Sequence, residues 1–302
     1  MEEKNEKFGH GAQQAVQRSS VYDQKAIKVT SADSNSNREH TSFNLDLDAT
    51  RHVSVVVLNK EDNILKVLHP SPGRMNTHRE RKLLVLDVNG LLADIVCPPP
   101  KDCKADTNIL RRAIFRRPFC SDFLKFCFER FSVGIWSSRS RKIIDRIVDY
   151  LLGDMKYKLV FCWDLSHCTR TGFKTLENKH KELVFKELRK IWEGNDTDLL
   201  WEKGHYNESN TLLLDDSPYK ALLNPRNTAI FPYSYNFKDG SDNSLGPEGD
   251  IRLYLEGLAT VEDVKKYVEE HPFGQRAIDE ASSSWDYYHR VILSCSLVPS
   301  RI

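Results

Sequence analysis

The 302-residue chain lacks several features that would assign it quickly to a class of proteins. None of its apolar runs approaches the roughly 20 residues that a membrane-spanning helix needs. Its 44 Lys and Arg residues are balanced by 43 Asp and Glu residues, so its net charge of +1 creates no overall attraction to nucleic acid or anionic membrane. The sequence therefore predicts no membrane span and no nucleic-acid partner.

The seven cysteines are odd in number, and no two of them form a Cys-x-x-Cys pair. Several lie in apolar segments, such as Cys127 in FLKFCFERF, where cysteine behaves as a small hydrophobic residue. This usage indicates a reducing compartment and no disulfide framework. The acidic, amide-rich start MEEKNEKFGHGAQQ has neither a hydrophobic signal core nor the composition of a transit peptide. We therefore expect the nucleus or the cytoplasm.

Composition divides the chain into three parts. Residues 1–78 are rich in Gln, Ser, Asn and charged residues, which predicts a mostly disordered tail. Within that tail, HVSVVVLNKEDNILKVL at 52–68 is either a β-hairpin or part of the tail. Residues 79–272 carry regular apolar patterns and are expected to form a single folded domain. Residues 273–302 are expected to be a C-terminal extension.

Short apolar strands alternate with amphipathic helices through the middle of the chain. The strand candidates are LLVLD, SVGIW, KLVFCW, TLLLD and TAIFP. Such alternation predicts an α/β fold with a doubly wound parallel sheet that is covered by helices on both faces. The predicted helices cover residues 121–131, 140–153, 178–192 and 260–271.

Polar side chains follow three of these strands directly. Asp87 follows LLVL, Ser137 follows VGIW, and Asp215 and Asp216 follow TLLL. In doubly wound folds, ligands bind at the carboxyl ends of the strands, so we expect these side chains to meet in one crevice. Aspartates at such a position can coordinate Mg²⁺ or attack phosphorus. A lysine such as Lys186 on the predicted 178–192 helix would neutralise phosphoryl charge.

Each of these residues also has a purely structural interpretation. Asp87 could belong to a turn, and Ser137 could cap the following helix. Lys186 could lie on a solvated helix face, and Lys181 and Lys190 are alternative lysines for the site. Four arginines are interpreted as a solvated face, with phosphopeptide binding as the alternative. These are Arg111, Arg112, Arg116 and Arg117.

The ordered motifs resemble those of the haloacid dehalogenase superfamily. The resemblance rests on DVNG at 87–90, Ser137 after a strand, Lys186, and the run LLLDDSP. More narrowly, RRPFCSDFLKFC, VGIWSSRSRKIIDRIVDYL and LLLDDSPYKALLNPRNTAIFP resemble the phosphatases of the RNA polymerase II C-terminal domain, over residues 82–272. The resemblance implies a Rossmann-like fold and action on phosphoserine or phosphothreonine in an extended protein segment.

The resemblance also implies a magnesium site. Asp87 would be both the nucleophile and a Mg²⁺ ligand, and the backbone carbonyl of Asn89 would be a second ligand. Asp216 would complete the ligand set, with Asp215 behind it in contact with Lys186. Lys186 would be the lysine of the third motif.

Other residues would contact the phosphorylated segment, by the same resemblance. Ser137 would bind the phosphoryl group. Arg139 and Lys174 are the candidate substrate-binding residues. Lys174 lies in FCWDLSHCTRTGFKT, residues 161–175, where the family inserts structure that contacts the substrate.

The first motif departs from the family pattern Asp-x-Asp-x-Thr. Asn89 replaces the second aspartate, which is the general acid/base, and Leu91 replaces the threonine. An amide has no proton to exchange near neutral pH, and loss of a positioned acid/base typically costs about 10²- to 10⁴-fold in rate. The sequence therefore predicts that Mg²⁺ and phosphate binding survive while turnover is reduced.

Two other functions remain open. The domain could be a pseudoenzyme that binds proteins, like the presequence-receptor subunit of the mitochondrial inner-membrane translocase, which would make the mitochondrion the alternative location. It could also transfer phosphate and stop at a long-lived aspartyl-phosphate, since the nucleophile is present and the base is not. The oligomeric state is left open.

Overall fold

The computed structural model describes residues 81–194, 196 and 199–296, together with two short strands nearer the start. These are β1 (Val56–Val57) and β2 (Lys66–Val67), which pair antiparallel. The chain divides into two units, Met1–Asn76 and Thr77–Ile302. The β1–β2 pair lies in the first unit, within the span where the hairpin is predicted. The rest of the predicted disordered tail lies outside the described residues.

The second unit contains all the other regular elements. Its strands are β3 (Leu83–Leu86), β4 (Ala93–Val96), β5 (Thr107–Ile109), β6 (Arg112–Arg116), β7 (Ser132–Trp136), β8 (Phe161–Trp163), β9 (Thr169–Lys174), β10 (Glu182–Phe185), β11 (Thr211–Leu214) and β12 (Ala229–Ile230). Its α-helices are α1 (Cys120–Arg130), α2 (Arg141–Leu152), α3 (Arg189–Trp192), α4 (Asp250–Thr260), α5 (Val264–Glu270) and α6 (Trp285–Ser296).

A five-stranded parallel sheet with the order β12-β11-β3-β7-β8 forms the centre of this unit. In chain order, the first strand of this sheet is β3. Strands β7 and β8 follow on one side of it, and β11 and β12 are then added on its other side. The strand order therefore reverses between β3 and β11. In doubly wound folds, that reversal point is where ligands bind.

Strand β3 separates two hydrophobic cores, and all four of its residues are fully buried. Leu84 and Leu86 pack on one face with side chains of α1, α2 and α4. Leu83 and Val85 pack on the other face with Trp136 and residues of α3. Burial on both faces explains why the strand is a continuous apolar run, and it confirms the predicted doubly wound α/β fold.

The structure confirms the helices predicted at 121–131 and 140–153, which are α1 and α2. Helix α2 ends at Gly153, whose φ of 52° suits a residue without a side chain. The helix predicted over 260–271 is confirmed as α5, but it begins later, at Val264, because Thr260 still belongs to α4. The side chain of Asp263 caps α5 by accepting a hydrogen bond from the backbone N–H of Lys266.

The helix predicted over 178–192 is wrong over most of its length. Most of its apolar residues belong to strand β10, which pairs antiparallel with β9. Leu183 and Phe185 point into a third hydrophobic cluster with Tyr288 of α6, while Val184 points into the core that contains α3. Successive side chains therefore pack in two different clusters, as the alternating faces of a strand require, and only α3 at the end of this span is helical.

A second, antiparallel sheet with the order β4-β6-β5 follows the end of β3. Its first strand is tied to the turn after β3 by a bridge between Asn89 and Ala93. It thus brings extra side chains to the carboxyl edge of the central sheet. Among the residues that the structure describes, no helix combines the length and the apolar character needed to cross a bilayer.

Candidate functional site

Two carboxylates lie side by side at the point where the strand order reverses. Strands β3 and β11 are parallel neighbours with Leu86 opposite Leu214, so the residues that follow them, Asp87 and Asp215, are adjacent. The backbone N–H of Asp87 donates to the carbonyl oxygen of Leu214 at 2.9 Å. Asp87 is 2% exposed and Asp215 is fully buried. Burial of two carboxylates requires cationic partners.

Two buried lysines supply the positive charge. Lys186, which follows β10, places its Nζ 2.5 Å from Asp215 Oδ2 and 3.2 Å from Asp87 Oδ1. Lys220, which the sequence analysis did not identify, places its Nζ 2.6 Å from Asp87 Oδ2 and 2.7 Å from Asp215 Oδ1. The four side chains form a closed circuit of alternating charge, and we call Asp87, Lys186, Asp215 and Lys220 the charge ring.

The charge ring separates the pKa values of its two carboxyl groups. Burial alone would raise the pKa of Asp87, but the ammonium groups of Lys186 and Lys220 hold it well below its usual range. Burial and the nearby charge of Asp87 outweigh the two lysines at Asp215 and raise its pKa to about 6. Burial would lower the pKa of Lys220, yet Asp215 and Asp87 raise it well above its usual value.

Lys220 is positioned by a tight turn after β11. Pro218 begins a short 3₁₀ helix, Pro218–Ala221, and the backbone N–H of Lys220 donates to the carbonyl oxygen of Ser217 at 3.0 Å. The carbonyl oxygen of Lys220 accepts from the backbone N–H of Lys186 at 2.8 Å. The proline after Asp-Asp-Ser is the sequence signal for this turn, because it favours the first position of a helix and folds Lys220 back toward the carboxylates.

Asp216 lies beside the ring and against the turn that follows Asp87. Its Oδ1 accepts from Ser217 Oγ at 3.0 Å and lies 3.8 Å from Lys220 Nζ. Gly90 has a φ of 80°, and a Cβ at this position would collide with Asp216 Oδ2. The glycine therefore allows this turn to approach the acidic pair closely.

The predicted magnesium ligands converge, but the ion does not fit the ring as it stands. One oxygen from each of Asp87, Asp215 and Asp216 lies within 4.8 Å of the others, which is a suitable donor set for a hard divalent cation. The ammonium group of Lys220 contacts the same three carboxylates. Because the Lys220 ammonium group already occupies this position, the reaction steps proposed below use only groups of the chain. The backbone carbonyl of Asn89 as a ligand stays a prediction.

The side chain of Asn89 forms hydrogen bonds that stabilise the turn. Its Oδ1 accepts from the backbone N–H of Ile95 at 3.0 Å and from Arg139 Nη2 at 3.1 Å. The amide thereby connects β4 to the residues after β7. Ser137 follows β7, is 1% exposed, and accepts from the backbone N–H of Arg139 through its Oγ at 3.3 Å.

Arg139 brings a third positive group to the same edge of the sheet. Its guanidinium is partly buried, and its Nε is buried without a hydrogen-bond partner among the described residues. Burial lowers the pKa of Arg139, and the charge of Asp87 opposes that shift. The guanidinium therefore lies within electrostatic reach of Asp87 with unused hydrogen-bonding capacity.

The structure does not bring Lys174 to this cluster. Lys174 is exposed and pairs with Glu182, four positions before Lys186, which corresponds to about 13 Å along the strand. The interpretation of the arginines as a solvated face is wrong for Arg117, which is 3% exposed. Both ends of its guanidinium bind Asp242, at 2.8 and 2.7 Å. Arg117 thus anchors the loop around Asp242.

Comparison with known proteins shows which family this chain resembles. Residues 82–265 match the family model described as NLI interacting factor-like phosphatase. An uncharacterized FCP1 homology domain-containing protein of Schizosaccharomyces pombe is 26% identical over 64% of this chain and 78% of its own length. Ubiquitin-like domain-containing CTD phosphatase 1 of Gallus gallus is 30% identical over 75% of this chain and 66% of its own.

One solved structure is that of a variant of the fission yeast RNA polymerase II CTD phosphatase Fcp1 bound to beryllium fluoride. It matches with a TM-score of 0.36 and 11% identity, over 72% of this chain and 63% of that one. The chain spans between half and two thirds of the ubiquitin-like domain-containing relatives, from 50% in Bos taurus and Rattus norvegicus to 66% in Gallus gallus.

Proposed function

Because the chain belongs to the NLI interacting factor-like phosphatase family, we propose that its crevice binds phosphoserine or phosphothreonine in extended protein segments and hydrolyses them slowly. The domain is of the haloacid dehalogenase type and is homologous to CTD phosphatases. The name of the ubiquitin-like domain-containing relatives supports a phosphorylated protein segment as the substrate class.

The observation that carries this proposal is the position of Asp87. Its carboxylate lies at the reversal point of the sheet, directly between two buried ammonium groups and within electrostatic reach of Arg139. Fixed positive charges at such a point favour a phosphate dianion and the charge that develops on it during transfer. The nucleophile and the groups that would bind phosphate are thus assembled in one place.

The proposed reaction has two steps. An oxygen of Asp87 forms a bond to phosphorus while the phosphorus–oxygen bond of the ester breaks, and the leaving serine or threonine oxygen takes up a proton. Water then attacks phosphorus, the bond to Asp87 breaks, and inorganic phosphate leaves while the water loses a proton. Asn89 can neither supply the first proton nor accept the second, so both steps are slowed, together by about 10²- to 10⁴-fold.

A second candidate function is a module that binds phosphorylated protein segments without hydrolysing them. Both oxygens of Asp87 are held by lysine ammonium groups, Lys186 on Oδ1 and Lys220 on Oδ2. A carboxylate that is held in this way is a weak nucleophile, whereas phosphate oxygens can still bind the Arg139 guanidinium, whose Nε has no hydrogen-bond partner among the described residues. This observation favours binding over turnover.

The cellular location and the identity of the cation are two further parts of the prediction. The family is usually metal-dependent, and magnesium is the predicted ion, although Lys220 competes with it for the carboxylates. A phosphorylated protein substrate of this class suits the nucleus or the cytoplasm, with the mitochondrion as the alternative. Appending a fluorescent protein to the full chain and imaging cells would decide between these locations.

Hydrolysis and binding of a phosphoserine peptide distinguish the two candidate functions. We expect the wild type to release phosphate slowly and Asn89→Asp to release it about 10²- to 10⁴-fold faster, because the substitution restores the acid/base. Asp87→Asn is the matched control, an isosteric change that removes the nucleophile and should abolish release in both backgrounds. Peptide binding would be followed by fluorescence anisotropy.

Each outcome selects one interpretation. If Asn89→Asp binds the peptide and remains inert, the binding module is the correct function. If a phosphoadduct labile to hydroxylamine accumulates on the wild type and not on Asp87→Asn, the reaction stops at the aspartyl-phosphate. If wild type and Asn89→Asp hydrolyse the peptide at the same rate, the role assigned to Asn89 is wrong. If no variant binds the peptide, the proposed substrate class is wrong.

A further inference from the structure

The ammonium group of Lys220 lies where three carboxylates converge. One oxygen from each of Asp87, Asp215 and Asp216 lies within 4.8 Å of the others. Lys220 Nζ is 2.6 Å from Asp87 Oδ2, 2.7 Å from Asp215 Oδ1 and 3.8 Å from Asp216 Oδ1. A single cation that belongs to the chain therefore contacts the whole acidic cluster.

A divalent cation at this cluster would bind the same three carboxylates that Lys220 contacts. Magnesium binds carboxylate oxygens at about 2.0–2.1 Å and demands near-ideal geometry, so it would approach the position of the ammonium group closely. Two cations at such a separation inside a buried site repel each other strongly. Magnesium and the Lys220 ammonium are thus alternative occupants of one position.

The backbone holds Lys220 in this position from both sides. Its N–H donates to the carbonyl oxygen of Ser217 at 3.0 Å, and its carbonyl oxygen accepts from the N–H of Lys186 at 2.8 Å. The side chain itself is 3% exposed. Lys220 is therefore fixed by the same turn that presents Asp215 and Asp216, rather than resting there as a mobile surface side chain.

We propose that Lys220 is a built-in cation that replaces a divalent metal ion at this site, so that the crevice holds phosphate without magnesium. The proposal rests on the proposed function for the identity of the ligand. It deepens that function by naming the cation. The site then holds the single, permanent charge of the Lys220 ammonium group instead of the double charge of a metal ion, which a chelator can remove. Phosphate binding then becomes insensitive to chelators.

Manganese binding to the full-length protein tests this proposal directly, because Mn²⁺ is a paramagnetic substitute for Mg²⁺ that can be counted by electron paramagnetic resonance. We expect no saturable Mn²⁺ site on the wild type at millimolar metal. We expect Lys220→Gln to bind one Mn²⁺ at least about tenfold more tightly than the wild type, a difference of about 1.4 kcal/mol. Lys186→Gln is the matched control, since Lys186 contacts only two of the three carboxylates and its loss should create no such site.

The variant Lys220→Gln/Asp216→Asn should lose the Mn²⁺ site again. A saturable Mn²⁺ site on the wild type that Asp216→Asn abolishes would overturn the proposal, even if Lys220→Gln does not fold. A folded Lys220→Gln that gains no site would also overturn it. The titration contains no peptide, so its result is independent of the proposed substrate. Phosphopeptide binding by the wild type should in addition be the same with and without EDTA.

Discussion

At the scale of single residues, the contacts of Asn89 do not require an asparagine at this position. The amide oxygen accepts two hydrogen bonds, from Ile95 and from Arg139. A carboxylate oxygen of the same size can accept both, and it would add an ion pair with the guanidinium. Local packing therefore tolerates aspartate as well as asparagine at this position, so Asn89→Asp is expected to fold like the wild type.

Burial in the folded protein disfavours the ionised form of the Asp94 side chain. It lies on β4, where its Oδ2 accepts from the backbone N–H of Phe237 at 3.1 Å. Burial raises the pKa of Asp94, the bond from Phe237 and the charge of Arg139 oppose that shift, and Asp216 adds to it. A folded-state pKa above the unfolded value means that the contribution of this group to stability is fully present below the unfolded pKa. It is lost as the pH rises through the folded pKa.

We therefore predict that Asp94→Asn becomes more favourable, relative to wild type, as the pH rises from 3 to 7. Asparagine keeps the acceptor for Phe237 and cannot ionise. The measurement is the free energy of unfolding in urea at both pH values. Asp239→Asn is an opposite-sign control, because hydrogen bonds from Ser241 lower the pKa of Asp239. A larger loss for Asp94→Asn at pH 7 than at pH 3 would mean that the ionised form is the better bound.

At the scale of elements, the span 178–192 shows how a strand can carry the pattern of a helix. Its apolar residues fit helical spacing because Leu188 and Ile191 follow the LVF run at intervals of three or four. Those two residues pack in the core with Val85 of β3, whereas Leu183 and Phe185 pack on Tyr288 from a region more than a hundred residues away. That distant partner decides the conformation, so sequence periodicity could not.

The contact between β7 and β8 limits the side chains that β7 can carry. Gly134 lies opposite Phe161 in the parallel register, and a Cβ at Gly134 would collide with the Phe161 ring. That ring is 6% exposed and packs on Trp163, so it cannot move away freely. We predict that Gly134→Ala lowers the free energy of unfolding by about 1–3 kcal/mol through overpacking, measured by denaturant titration.

A double-mutant cycle with Phe161→Leu checks the cause of that loss. The smaller side chain vacates the space that the new methyl group needs. The double variant Gly134→Ala/Phe161→Leu should therefore lose less stability than the sum of the single variants, with a coupling of about 0.5–3 kcal/mol. Strict additivity would show that Gly134→Ala acts by some route other than the contact with Phe161.

At the scale of the whole molecule, the sequence predicts the central sheet and the carboxylates at its edge better than it predicts the second lysine, Lys220. Asp87 and Asp215 could be located because each follows a fully buried strand, and parallel strands end at one edge. Lys220 follows a turn, and Lys186 approaches from a hairpin on another part of the chain. Lys186 could be named from its motif, whereas the approach of Lys220 to the same carboxylates through a turn leaves no periodic signal and is visible only in the fold.

The C-terminal helix α6 supports this same turn. Tyr288 of α6 is 2% exposed, and its ring stacks on that of Tyr219, the residue before Lys220, with centroids 6.3 Å apart. Leu183 and Phe185 of β10, which precede Lys186, belong to the same cluster. One helix from the end of the chain therefore packs behind both lysines of the charge ring.

We predict that Tyr288→Ala lowers the free energy of unfolding by about 3–5 kcal/mol, since it removes a buried aromatic ring from this cluster. Because the cluster supports Tyr219, the same variant should weaken phosphopeptide binding under conditions where it is still folded. Leu293→Ala on the same helix is the control; its side chain is 49% exposed, so the change should stay within about 0.5 kcal/mol. Urea unfolding and peptide anisotropy measure the two effects. Equal stability of Tyr288→Ala and Leu293→Ala would show that α6 does not pack on Tyr219 in solution, and the charge ring would then have to be held by its own turn alone.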